Sequence, residues 1–156
     1  MSARVAGSLR YVTAACPLLV LAGCTSTDIE VSSGYPSVIA GGDPNSGMDA
    51  EVGGLLEYRE EVGCFVIVDL PGGASESSFE LVVWPSGTTG VVRDGVPGVD
   101  VPDFGEVLAG QYFLGGGGHL TPTGGVLALP DGCYAEGTEY ALLDVVTEVS
   151  EEPLIN

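Results

Sequence analysis

Apolar positions in this 156-residue chain come in short bursts, cut apart by glycine and proline. Beyond residue 49 the bursts are "EVGGLLEY" (51–58), "GCFVIVDL" (63–70), "SFELVVW" (78–84), "GVDV" (98–101), "GQYFLGGGGHL" (110–120), "GVLAL" (125–129) and "EYALLDVVTEV" (139–149). Branched and aromatic side chains dominate them, which suits a pleated, half-buried surface better than a helix. Between them stand "LPGGASES", "PSGTTG", "RDGVPG" and "LPDG", where proline presets φ and glycine supplies positive φ. "REEVG" joins the first two runs as a hairpin. Several strands at this spacing predict an all-β domain over residues 50–149, a small antiparallel barrel or sandwich, with 150–156 as a C-terminal tail. "DFGEVLAG" (103–110) is the one stretch that fits a single helical turn. The final run tolerates a helix, but Val145, Val146, Thr147 and Val149 favour strand.

The first 49 residues read differently. "EVSSGYPSVIAGGDPNSG" holds no lasting period of 2 or 3.6, so residues 24–49 are expected to form a flexible tether. Ahead of it, Met1–Arg10 carries Arg4 and Arg10 and no acid, and Tyr11–Gly23 carries no charge. A basic start, a short apolar core and small residues at the end describe a secretory signal peptide over residues 1–23. Its apolar run, roughly a dozen residues, is too short to cross a bilayer as a helix. The closing residues Leu21-Ala22-Gly23-Cys24 resemble the lipobox of bacterial lipoproteins. That resemblance implies a diacylglyceryl thioether on Cys24, cleavage just before it, and a mature chain held at the outer face of the cell membrane. "AAC" at Ala14–Cys16 comes too early in the apolar run, so Cys16 is expected to leave with the signal.

Charge then narrows the partners. The chain has no lysine; after the signal only Arg59 and Arg93 oppose 22 acids. Such a chain repels nucleic acid and anionic headgroups, and it cannot supply a Walker lysine, a Schiff-base lysine or a basic groove. Solubility explains the acidity, and a cation-rich partner is the functional reading. Within the domain two cysteines remain, Cys64 and Cys133. An even pair in an oxidising compartment implies a disulfide. The loop it would close has about 70 residues, worth about 4 kcal/mol on the chain-entropy model. Two thiols and one distant histidine lack the spacing of a zinc site. No cofactor is expected.

A second resemblance covers residues 51–149. "GCFVIV", "LVVWPSGT", "VDVPDFGEVLAGQYFLGGGGHL" and "DGC", followed by a last strand, look like a group of uncharacterised lipoproteins of high-GC Gram-positive bacteria. The likeness implies a small OB-like barrel and carries no activity with it. The longer "TTGVVRDGVPG" segment departs from that group's pattern.

Candidate chemistry is sparse. "FLGGGGHL" (113–120) has the look of a phosphate loop, but "TPTGG" follows where a helix should open, and lysine is absent. A strand approached closely by another backbone, as at a barrel seam or bulge, is the better reading. His119, the one histidine, would centre any general-base mechanism, yet no Gly-x-Ser-x-Gly elbow accompanies it, and it is read as polar surface. "DPNSGMDAE" (43–51) sets Asp43, Asn45, Asp49 and Glu51 as weak calcium candidates, with Gly47 where an EF-hand would need its third acid. Asp94, Asp100, Asp103 and Glu106 form a second acidic set near turns. Trp84 is expected to cap or fill the core, the alternative being a ligand-stacking platform with Tyr112 and Phe113. The chain is thus expected to be a non-enzymatic binding or structural module of the cell envelope with an envelope protein as partner, the alternative being a small-ligand or calcium-binding lipoprotein.

Overall fold

The computed structural model describes residues 29–41, 49–68, 79–121, 132–133 and 139–154. Among them are ten strands and no helix: β1 (Glu30–Val31), β2 (Ile39–Ala40), β3 (Ala50–Arg59), β4 (Cys64–Val68), β5 (Glu80–Val83), β6 (Thr89–Arg93), β7 (Val96–Val101), β8 (Gly105–Leu108), β9 (Tyr112–Leu120) and β10 (Tyr140–Ser150). Five of them pair in the order β10-β5-β4-β3-β9 and close into a barrel as β9 meets β10. Four of the five pairings are antiparallel; β5 and β10 run parallel. The all-β class and the single disulfide expected from the sequence are both present, with that parallel pair added.

Period-2 alternation divides each barrel strand between two apolar clusters. Phe65 and Ile67 of β4, Val82 of β5, Phe113 of β9, and Ala141 and Leu143 of β10 belong to the interior cluster, with Trp84 just past β5. Their neighbours Cys64, Val66, Leu81, Val83, Tyr140 and Leu142 form a second cluster on the outer face. Cys133 joins that outer cluster and is bonded to Cys64, with Cα atoms 6.0 Å apart although the two stand 69 positions apart in sequence. The disulfide therefore fastens a distant segment over the outside of β4.

The glycine run marks the seam. Gly115 and Gly117 stand opposite Val146 and Leu143 of β10, along which the register shifts twice. A Cβ on Gly115 would collide with the Val145 carbonyl oxygen, and one on Gly117 with that of Leu142. A Cβ on Gly116 would meet only Val145 Cγ1, at 3.4 Å.

Outside the barrel, β6, β7 and β8 form a three-stranded sheet. Asp94 and Gly95 both take positive φ (51° and 85°) between β6 and β7, as a two-residue Asp-Gly hairpin requires. The departing "TTGVVRDGVPG" segment is this hairpin. Residues 105–108, expected as part of a single helical turn, are instead β8, paired with β7 from Gly98 to Val101. Val99, Val101 and Val107 reach into the interior cluster of the barrel, and this burial overrides the local helical pattern.

The tether expected over 24–49 needs correction for residues 29–41. There β1 and β2 form a small hairpin, and Val38 and Ile39 are 1% and 2% exposed. Main-chain bonds tie it to the barrel, Gly41 N–H to Trp84 O at 2.9 Å and Trp84 N–H to Ile39 O at 2.9 Å. Two apolar residues suffice once a ready-made sheet edge satisfies their backbone. The signal peptide with Cys24, the strand expected at 125–129, and Asp43 and Asn45 lie outside the described residues.

Two predictions test this architecture. Gly117→Ala should lower the unfolding free energy by about 3 kcal/mol or abolish folding, whereas Gly116→Ala should stay within about 1 kcal/mol; urea denaturation of both decides it. Replacing Cys64 and Cys133 together by serine should cost about 2–5 kcal/mol, read as a fall in denaturation midpoint that reducing agent reproduces in the unaltered chain.

Candidate functional site

The interior-facing rows of β5 and β9 do not end in apolar residues. Glu80 opens β5 directly opposite Ile67 of β4. His119 lies one residue from the end of β9, directly opposite Ala141 of β10. Directly paired residues share a sheet face, and Ile67 and Ala141 both belong to the interior cluster. Glu80 and His119 therefore stand at one mouth of the barrel on its inner side. Glu139, two residues before Ala141, reaches the same mouth where β10 begins.

Glu80 is 7% exposed, against exposed positions for His119 and Glu139. A buried carboxylate needs a partner, and His119 supplies one: its Nδ1 lies 2.6 Å from Glu80 Oε1. With Glu80 ionised, the imidazole N–H donates, because a carboxylate can only accept. One ligand-type atom from each of the three residues lies within 4.8 Å of the others, the only such group of three among the described residues. The arrangement offers one imidazole and two carboxylates at an open rim. It can hold a cation, or move a proton between His119 and Glu80.

The other candidate residues fall elsewhere. Trp84 is fully buried and Phe113 is 1% exposed; their rings tilt together at a centroid distance of 5.5 Å, and Phe65 meets Trp84 edge-on at 6.2 Å. The stacking-platform alternative is corrected for this pair: their faces are spent on core packing. Tyr112, the next residue along β9, is partly buried and pairs with Ser150 and Leu55. Trp84 Nε1 finds no acceptor among the described residues. Asp49 and Glu51 are exposed at the start of β3. In the second acidic set, Asp100 and Glu106 pair across β7 and β8, Arg93 grips Glu106 through both Nε (2.8 Å) and Nη2, and Asp103 sits past β7 beside a hollow of about 190 Å³. Arg59 is also engaged, 3.8 Å over the Phe79 ring and 4.0 Å from Glu57.

No family model, curated protein or solved structure matches this chain.

His119→Ala should destabilise the domain by about 1–3 kcal/mol, because it strands a buried carboxylate. Glu139→Ala, at the exposed rim, should change stability by no more than about 0.5 kcal/mol. Thermal melts of the two variants beside the parent measure the contrast.

Proposed function

We propose that this protein is a lipid-anchored module on the outer side of the cell membrane that acts by binding, without turnover. The observation that carries the reading is the Cys64–Cys133 disulfide, since such bonds form and persist in the compartments that exported chains reach. It agrees with the "LAGC" end of the apolar run, which resembles a lipobox. Both arginines of the domain are engaged internally, leaving carboxylates to dominate its surface. A cation-rich partner in the envelope is the complement that such a surface selects.

The β1–β2 hairpin adds an orientation to this reading. Cys24 lies only five residues before Ile29. Even fully extended, that stretch spans about 18 Å, so an acylated Cys24 keeps the barrel beside the bilayer. Because β2 bridges in parallel to Trp84 and β1 returns antiparallel along β2, the chain enters at the Trp84 end. Glu80, His119 and Glu139 then face away from the membrane.

Detergent phase partitioning of the parent and of Cys24→Ala tests the anchor. The parent should enter the detergent phase with a diacylglyceryl mass on Cys24, and the variant should be released or remain an uncut precursor. Parent protein without acyl mass on Cys24 would overturn the proposal.

A further inference from the structure

We propose that Glu80, His119 and Glu139 bind a divalent transition metal ion of the zinc class at the open mouth of the barrel. This goes beyond the anchored binding module and does not depend on the anchor. Its ground is a convergence that barrel stability does not require. A charged residue interrupts the apolar inner row of β5, the lone histidine interrupts that of β9, and a second carboxylate meets both where β10 begins.

The geometry suits a small ion. Bonds of about 2.0–2.2 Å in a tetrahedral site place ligand atoms roughly 3.3–3.6 Å apart. Here all three ligand atoms lie within 4.8 Å of one another, and His119 Nδ1 and Glu80 Oε1 are 2.6 Å apart. Glu80 is held by its burial. The exposed His119 and Glu139 have solvent on one side and can settle around the ion. On binding, the imidazole changes tautomer: the proton on His119 Nδ1 moves by way of solvent to Nε2, and the ring stays neutral. The nitrogen and oxygen lone pairs that the proton bridged then go to the metal, and Glu139 gives a third bond. Protein supplies three ligands, so the remaining position takes water or a partner's side chain. Calcium fits poorly, for it seeks six to eight oxygens. Imidazole with carboxylate suits zinc and its first-row neighbours.

The full-length protein as isolated from its host, stripped with a chelator, is titrated with zinc by calorimetry in the presence of excess calcium, which saturates oxygen-only sites. The expected result is one zinc per chain that calcium does not displace, together with visible cobalt absorption of a low-coordinate site. Glu139→Gln should weaken zinc affinity at least tenfold, and His119→Ala more. Should His119→Ala fail to fold, Glu139→Gln still decides, because its side chain lies at the exposed rim. Absence of calcium-resistant zinc binding overturns the proposal. So does binding that survives Glu139→Gln with unchanged affinity.

Discussion

The barrel can close only because β9 brings no side chain to the positions that press on β10. A barrel of about eight strands has an interior just wide enough for ordinary side chains, and five strands enclose less. This interior must still hold Phe65, Trp84, Phe113, Leu56 and Leu143. Room for them comes from the strand that gives up its own side chains. At Gly115 and Gly117 the β10 backbone occupies the space where a Cβ would be. The two register shifts of β10 against β9 fall along this glycine stretch, where β10 must bend to reach its parallel partner β5. The same strand then delivers His119 to the rim, so the mouth site inherits its position from the seam.

Much of this was legible in the residues. Branched and aromatic runs marked β3, β4, β5, β9 and β10, with ends displaced by only a residue or two. The Cys64–Cys133 bond followed from the cysteine count and the expectation of export, and the glycine run from the absence of any helix former behind it. The errors share a cause. Residues 105–108 and the hairpin at 30–40 have weak local signals, and each becomes strand through a partner remote in sequence. The Glu80–His119 pair spans 39 residues, and no spacing rule joins positions that barrel closure brings together. One clue stood in plain view: in "SFELVVW", Glu80 shares the parity of Val82 and Trp84. A charge in an otherwise apolar row is costly unless something meets it, which is a reason to look for a partner.

Charge and covalent staples divide the labour in this small domain. The disulfide and the outer cluster around it cover β4, β5 and β10 from outside. The interior cluster, extended by Val99, Val101 and Val107 of the separate sheet, fills the barrel within. Neither calls for a charge. The few cations are absorbed at the surface, Arg93 by Glu106 and Arg59 by Phe79. The remaining carboxylates create a negative field that raises the local concentration of cations near any open site.

That field acts on two ends that differ in kind. At one, Trp84 and Phe113 are sealed beneath apolar packing, and the β1–β2 hairpin is tied to the backbone of Trp84. At the other, the inner rows stop at ionisable groups with solvent access. A barrel built for stability alone would close both ends with apolar side chains, since burying Glu80 gains nothing that a leucine would not supply more cheaply. The polar mouth is therefore the part of this domain that folding leaves unexplained, and it is there that binding chemistry has residues to work with.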